Sequence, residues 1–307
     1  MGRRAAILML TALVVMPAAA QADEGLEDYL ESAMDAEFHG SGVVMCSWGP
    51  DSAATTYEVT RSDGMSMVQG PDGGLMLYGS LTASASGADW YALEVSEWSA
   101  WSLSDRYSLG ETTPITRLGR SASEVTVLED GRARARLVID DESTVPLLTE
   151  VFDADGRVFR LAALVEFVAA PAVDMEMPDF MEHEMLMAGE PSSQLPDSVF
   201  GYRRSDTYAL DGSGSQTFYS DGLFSFSVFE VGAAPGEFAD GSMFEVDGAA
   251  YTRIVTPSNV WVHWSSSDQS FVLVGDLPPD HIETVLSELP RPGRRGVIMR
   301  WLSRVFG

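Results

Sequence analysis

The stretch that decides the fold is "SEVTVLEDGRARARLVIDDES", which runs from Ser123 to Ser143. Two β-like runs flank Asp130-Gly131, and an Asp-Gly pair in that position is a strong signal for a β-hairpin turn. The next stretch, "LLTEVFDADGRVFRLAALVEF" from Leu147 to Phe167, repeats the pattern around Asp155-Gly156. Successive hairpins without alternating helices predict an antiparallel sheet that is curved or half closed into a barrel.

The residues before this hairpin continue the same rhythm. "GSGVVMCSW", "TTYEVTRSDG", "MSMVQGPDGG" and "LMLYGS" are short β-like runs separated by Gly and Asp. Ahead of them, residues 23–37 have apolar side chains spaced for one face of a short acidic helix. Residues 23–170 are therefore predicted to form an N-terminal β domain.

A second block of strand signals covers residues 196–290. In "LFSFSVFEV", residues 223–231, aromatic and aliphatic side chains alternate with serine, which predicts a strand with one buried face. Pro278-Pro279 opens a helix whose apolar stripe is Ile282, Val285, Leu286 and Leu289. The block is predicted to be a smaller α+β domain, so the whole chain is mainly β with few helices.

Three further segments flank or join these blocks. Residues 1–22 resemble an export signal, with Arg3 and Arg4 before a short apolar run and Ala20-Gln21-Ala22 as a cleavage site. The run is too short to span a bilayer, which favours cleavage over an uncleaved anchor. Residues 171–195 are a linker rich in Met, Pro and acids, and residues 291–307 form a basic amphipathic tail.

The composition excludes one class of partner. The chain has a formal net charge of −27 and no lysine, so its surface repels nucleic acid. It has one cysteine, Cys46, so an internal disulfide is impossible. Cys46 lies in an apolar run, which predicts a buried small hydrophobic residue rather than a nucleophile.

No arrangement of residues in the sequence indicates catalysis. There is no G-x-S-x-G, P-loop, H-E-x-x-H or Gly-rich dinucleotide turn. The four histidines are scattered; His263 is predicted to be partly buried in a strand and His281 to be solvated in the first helical turn. We therefore predict a protein that is not an enzyme, with no catalytic residue and no cofactor.

The Met-rich linker allows two interpretations. Five methionines and His183 occur among acids, and Met and His are copper ligands in some exported proteins. The methionines follow no repeated ligand spacing, however, and an adaptable apolar hinge between domains explains them as well. We predict no metal site, and a metal-handling role remains an alternative.

The tail "RPGRRGVIMRWLSRVFG" has apolar residues spaced for one helical face with arginines beside them. This composition suits either a short helix on an anionic membrane or a helix that folds back on the acidic body. The candidate membrane-contact residues are Arg294, Arg295, Val297, Ile298, Arg300, Trp301 and Arg304.

Several motifs together resemble the RseB/MucB family. "FHGSGVVM" resembles its opening strand, and "RLVIDDESTVPLLTEVFDADGRVFRLAALVEF" resembles a later segment of its first domain. In the second half, "YSDGLFSFSVFEV" and "FVLVGDLPPDHIETVLSEL" follow in the family's order. His39 departs from the pattern, since an aromatic residue is usual there.

The resemblance implies a LolA-like half-open β-barrel followed by a smaller C-terminal domain. It also implies a regulator outside the cytoplasmic membrane that binds the exported part of a transmembrane anti-sigma factor, shields it from proteolysis and responds to lipid-like molecules. The candidate partner-binding residues are Tyr219, Asp221, Leu223 and Phe229. The candidate apolar lining for a lipid or lipoprotein acyl chain is Met45, Met67, Leu77, Trp90, Trp98, Trp101, Leu137 and Ile139.

For the three tryptophans, simple packing over the open sheet is the other interpretation. For the protein as a whole, the main alternative is a LolA-like carrier of lipids or lipoproteins.

Overall fold

The computed structural model describes residues 36–62, 65–71, 75–78, 105–169, 195–210, 214–231, 241–266 and 269–293. Within them the chain forms two antiparallel sheets and one α-helix, which confirms the predicted mainly-β fold class. No helix in this part of the chain has both the length and the apolar character needed to cross a membrane.

The first sheet contains nine strands. They are β1 (Phe38–Trp48), β2 (Asp51–Ser62), β3 (Met65–Gln69), β4 (Leu75–Tyr78), β5 (Tyr107–Arg117), β6 (Arg120–Glu129), β7 (Arg132–Asp140), β8 (Pro146–Phe152) and β9 (Val158–Ala169). Their spatial order is β4-β3-β2-β1-β9-β8-β7-β6-β5. The described strands therefore form an open sheet with β4 and β5 at its two edges.

The two Asp-Gly turns of the first sheet are confirmed. Asp130 and Gly131 join β6 to β7 with φ values of 50° and 74°, the positive pair that matches the twist of a hairpin. Gly156, at φ 77°, lies between β8 and β9. There the Asp153 carboxylate accepts the backbone N–H groups of Asp155 and Arg157 at 2.9 and 2.8 Å. This Asx-type bonding fixes the turn locally.

The second sheet contains eight strands and is followed by helix α1 (Pro279–Glu288). The strands are β10 (Ser198–Val199), β11 (Tyr202–Leu210), β12 (Gly214–Ser220), β13 (Ser225–Val231), β14 (Ser242–Val246), β15 (Ala249–Val255), β16 (Val260–Ser266) and β17 (Gln269–Gly275). Their order is β10-β11-β12-β13-β17-β16-β15-β14. Proline at the start of α1 presets the helical φ, and the predicted apolar stripe of this helix is buried.

Strand β13 differs from its prediction. The alternation of Phe and Ser predicted one buried face, but Ser225 and Ser227 are both fully buried, like Phe226 between them. The strand lies in the middle of the sheet, between β12 and β17, and Gln216 Nε2 donates to Ser227 Oγ at 2.9 Å. A small polar side chain on a central strand is thus enclosed by its larger neighbours.

One apolar cluster joins the two sheets and the helix. It includes Cys46 and Leu137 of the first sheet, Phe226 and Leu273 of the second, and Ile282 of α1. Cys46 is fully buried, as predicted, and burial raises the pKa of its thiol to about 12. A separate cluster belongs to the first sheet alone and is formed by Val59, Val68, Ala122, Val138, Val145, Leu147 and Leu164.

Candidate functional site: the charged joint between the two sheets

The two sheets also meet through a set of charged groups, which we call the joint. Three arginines on the first-sheet side each contact an aspartate on the second-sheet side, in the pairs Arg106–Asp221, Arg134–Asp280 and Arg160–Asp276. Two contacts run in the opposite direction, Arg253–Asp51 and His281–Glu129. Because the bridges run in both directions, each sheet holds charges that pair with charges of the other.

Arg134 lies at the centre of the joint. A β-bulge between β6 and β7 turns both Arg134 and Ala135 inward, so two consecutive residues are buried. Arg134 Nε donates to Glu129 Oε2 at 2.6 Å, and its terminal nitrogens donate to both carboxylate oxygens of Asp280 at 3.1 and 2.8 Å. Bidentate pairing of this kind adds strength and fixed geometry. Arg134 therefore ties strand β6 to the first turn of α1.

His281 is buried in this first turn, with 1% of its surface exposed. The prediction of a solvated histidine is wrong because the first turn of α1 faces the first sheet. The Nε2 atom lies 3.0 Å from Glu129 Oε2, and Nδ1 lies 2.6 Å from the Tyr202 hydroxyl oxygen. With its proton on Nε2, the ring donates to Glu129 and accepts from Tyr202, so both ring nitrogens are satisfied.

The Glu129 carboxylate has three cationic or hydrogen-bond-donating partners, which are His281, Arg134 and Arg106. Burial favours its neutral form, but the contacts with His281 and Arg134 outweigh burial, and the pKa of the Glu129 carboxyl lies below its ordinary value. Arg106 Nε approaches the same carboxylate at 3.4 Å. Glu129 is therefore held as an anion between the two sheets.

Arg106 and Tyr107 form a second part of the joint. The Tyr107 hydroxyl donates to Asp221 Oδ2 at 2.7 Å, and Arg106 donates to the Phe200 carbonyl while its guanidinium lies 4.2 Å from the Phe200 ring centre. Asp221 Oδ1 accepts the backbone N–H of Phe224 at 2.9 Å. Burial raises the pKa of Asp221 despite these partners.

Asp276 forms a third bridge just after β17. Its Oδ2 accepts Arg160 Nη1 at 2.7 Å, and its Oδ1 accepts the Ser225 backbone N–H at 3.0 Å. Burial raises the pKa of Asp276, although Arg160 and the Ser225 amide oppose this effect. The charge of Asp276 is therefore costly in this position and depends on its arginine partner.

The bridge at the far side of the joint is more open. Arg253 donates to Asp51 Oδ2 from Nε at 3.0 Å and from Nη2 at 2.9 Å, and to the Trp48 carbonyl at 3.1 Å. Its guanidinium also lies 4.4 Å from the Trp48 ring centre, a cation–π distance. The Asp51 side chain is 28% exposed, whereas that of Asp276 is 3% exposed.

The chemistry of the joint is that of a connection. Each of its carboxylates, at positions 51, 129, 221, 276 and 280, accepts a hydrogen bond from a donor on the opposite sheet. Groups paired in this way hold the two sheets in one orientation. Among the described residues, no group of three His, Cys, Asp or Glu side chains is arranged to hold a metal ion.

The predicted apolar lining is divided by the structure. Leu137 and Ile139 are buried together on β7, in the cluster shared by both sheets. The pairing of β1, β9, β8 and β7 aligns Met45 with Arg136, so these two side chains lie on the same face of the sheet. Leu137 follows Arg136 on β7 and therefore projects from the opposite face to Met45. Met67 of β3 pairs with Leu77 of β4.

The three tryptophans, Trp90, Trp98 and Trp101, lie outside the described residues. The assignment of the eight residues to an apolar ligand stays a prediction.

The predicted partner-binding residues lie mostly inside the molecule. Tyr219, Asp221 and Leu223 are buried, and Phe229 is half-buried on β13. Tyr219 stacks on Phe226 with ring centres 4.9 Å apart. In this arrangement three of the four contact the interior, so their role as partner contacts stays a prediction.

The Met-rich linker residues 171–194 and the tail residues 294–307 lie outside the described part of the chain. The hinge, metal and membrane interpretations of these segments therefore stay predictions.

The joint is not predictable from local sequence patterns, because its residues are far apart along the chain. Arg134 and Asp280, for example, are separated by 146 positions. One usable signal is the "RARAR" run at residues 132–136, which places three arginines on one strand of an acidic chain. Only a structure shows that the middle one, Arg134, is buried while Arg132 is exposed.

Comparison with known proteins identifies the fold. No protein-family model and no curated protein matches the chain. Among solved structures, the chain is similar to MucB in the Pseudomonas aeruginosa MucA/MucB complex, with a TM-score of 0.54 and 19% identity over 84% of this chain and 96% of that one. MucB in complex with MucA(peri) gives a TM-score of 0.52 and 20% identity over the same shares.

MucB alone gives a TM-score of 0.52 and 18% identity over 84% of this chain and 93% of that one. At these identities the likeness concerns the fold, and the shared length includes both sheets. The chain therefore has the RseB/MucB-like fold that its motifs predicted.

Proposed function

We propose that the protein is an exported regulator that binds the extracytoplasmic part of a transmembrane anti-sigma factor. In this proposal the bound segment is shielded from proteolysis, and a lipid-like ligand in the first domain changes the affinity. The protein acts by binding and not by catalysis, on the outer side of the cytoplasmic membrane.

The observation that carries the proposal is the likeness to MucB across both sheets. Two of the matched structures contain MucB together with MucA, and the match covers 96% of each MucB chain. A partner that contacts both domains needs them in a defined orientation, and the joint supplies one through bridges in both directions. The export signal predicted for residues 1–22 agrees with such a location.

The lipid part of the proposal rests on the first sheet. The described strands of this sheet form an open sheet with two edges. The sheet also has an apolar cluster of its own, separate from the cluster that it shares with the second sheet. An apolar ligand binds where apolar side chains converge in a concave site. In this proposal the acyl chain binds against this cluster, which includes Val59 and Leu164.

The test uses the chain without residues 1–22 and the exported segment of a transmembrane anti-sigma factor from the same organism. We expect saturable binding by calorimetry and slower cleavage of the bound segment by a site-1-type protease. Addition of a lysophospholipid below its micelle concentration should weaken that binding. Absence of binding to the segment would end the proposal.

A LolA-like carrier gives a different result in the same experiment. A carrier binds the lysophospholipid or an acylated peptide and transfers it to acceptor vesicles, without any affinity for the anti-sigma segment. Transfer without segment binding would therefore replace the regulatory proposal with the carrier alternative.

A further inference from the structure

The second sheet has a face that points away from the shared cluster, which we call the outer face. Cross-strand pairing defines it: Phe218 aligns with Ser227, Val274 and Trp261 across β12, β13, β17 and β16. A parallel row contains Gln216, Phe229, Val272 and His263. The opposite, inner face carries Phe226, Val228 and Leu273, which pack in the shared cluster.

The outer face is unusually apolar for the outside of a sheet. An antiparallel sheet with one solvated face normally alternates apolar and polar residues. Here Val272 and Val274 are only 8% and 4% exposed although neither belongs to the shared cluster. The aromatic residues Phe218, Phe229 and Trp261 surround them on the same face and are half-buried. Burial of this kind, on a face outside the shared cluster, is what a segment of chain packed across the face produces.

The margins of the outer face are acidic. Asp206 pairs with Phe218 at the β11 side and is exposed, and Glu245 projects from β14 at the other side and is also exposed. Met243, two residues before Glu245 on β14, aligns through Thr252 with His263 of the second row and is 48% exposed. An occupant that complements this surface has an apolar stripe with cations on its flanks.

The C-terminal end of the described chain lies next to this face. Trp264 Nε1 donates to the Pro290 carbonyl at 2.7 Å, and Arg291 pairs with Asp247 at 3.2 Å. The Gly293 N–H then donates to the Ser265 carbonyl of β16 at 2.9 Å. Residues 290–293 therefore run from the inner side of Trp264 to the end of the β16–β17 hairpin. The tail begins at that point.

We propose that tail residues 294–307 dock on the outer face as an amphipathic helix. Fourteen helical residues extend about 21 Å, whereas the four strands from β13 to β15 span roughly 14 Å, so the tail is long enough to cross them. Its stripe of Val297, Ile298, Trp301, Leu302, Val305 and Phe306 meets the apolar centre. Its first arginines, Arg294 and Arg295, follow Gly293 beside Ser265 of β16 and meet the nearer acidic margin at Glu245.

Hydroxyl-radical footprinting of the full-length chain tests this proposal, because Met and aromatic side chains react in proportion to their exposure. In the double variant Val297→Ser/Trp301→Ser, oxidation of Met243, Phe229 and Trp261 should rise roughly two- to threefold as contact with the tail is lost. The matched control is Ser303→Ala, which changes the opposite side of the same helix and should leave the three rates as in the wild type.

Exposed Val165 and Val168 of the first sheet provide an internal reference that should not change. Unchanged rates on the outer face in the double variant would overturn the proposal. Flotation with phosphatidylglycerol/phosphatidylcholine vesicles provides the second measurement. The docking proposal is wrong, and the tail is a membrane anchor, if two results occur together. The wild-type chain floats with the vesicles and the double variant does not, and, in the absence of vesicles, the two proteins show equal oxidation rates on the outer face.

Discussion

The joint contains two kinds of bridge, and their difference shows where the two sheets are held most tightly. Around Arg134 the side chains of Glu129, Asp280 and His281 form a connected cluster, and those of Arg134 and Glu129 are each 8% exposed. At the other side, Arg253 and Asp51 form a single pair whose acid is 28% exposed. A buried charge that loses its partner cannot be rehydrated, whereas a half-exposed one can. The first bridge should therefore be the more sensitive to mutation.

The largest effect is expected from Arg134→Met. Methionine keeps much of the side-chain stem but leaves Glu129 and the nearby Asp280 without their shared cation, which should cost about 3–5 kcal/mol of unfolding free energy. Urea unfolding of the full chain measures this value. The matched control is Arg132→Met, an exposed arginine on the same strand, for which a change within about 0.5 kcal/mol is expected. Equal effects from the two variants would contradict the central role of Arg134.

An intermediate effect is expected from His281→Phe. The phenyl ring preserves the edge-on contacts with Phe200 and Phe224 but removes both hydrogen bonds of the imidazole. The buried Tyr202 hydroxyl and one oxygen of Glu129 then lose a partner, at a cost of about 1–3 kcal/mol. The same urea titration measures the loss. Exposed His39→Phe is the control, and a loss no larger than that of this control would show that His281 serves only as packing.

A smaller effect is expected at the open bridge. In Asp51→Ala, Arg253 keeps its bond to the Trp48 carbonyl and its contact with the Trp48 ring, so a loss of about 1 kcal/mol is expected. The comparison variant is Asp155→Ala, which breaks the exposed Arg157–Asp155 pair and should change stability by less than about 0.5 kcal/mol. If Asp51→Ala cost as much as Arg134→Met, the two bridges would be equivalent and the contrast between them would be lost.

Local sequence patterns predicted much of the fold, but they did not predict the joint. The Asp-Gly turns at 130–131 and 155–156 depend on neighbouring residues, and so does the apolar stripe of α1, so sequence alone was sufficient for them. The burial of His281 depends on the first sheet, which is distant in sequence. Its position in a first helical turn therefore suggested solvent exposure. The bulge that turns Arg134 inward is likewise set by pairing between strands.

The smallest effects concern pH, and here the two parts of the joint should differ in sign. The pKa of Glu129 lies below its ordinary value of 4.5, so the stability that its charge contributes is fully present above about pH 4.5 and is lost as pH falls through the lowered pKa. Glu129→Gln should therefore be less stable than the wild type near neutral pH, and the difference should shrink on acidification. Urea titrations between about pH 3 and 7 measure this trend.

Asp276 should show the opposite trend, because burial raises its pKa above the ordinary value of 3.8. Its proton is favoured in the folded state, so this group adds stability as pH falls through the raised folded-state pKa, and that gain is complete below the ordinary value. Asp276→Asn, which resembles the protonated acid, removes this gain. The stability of the wild type relative to Asp276→Asn should therefore increase on acidification, while its advantage over Glu129→Gln decreases. Parallel pH trends for the two variants would contradict this difference in sign. They would mean that Arg160 stabilises the charge of Asp276 as strongly as Arg134 and His281 stabilise the charge of Glu129.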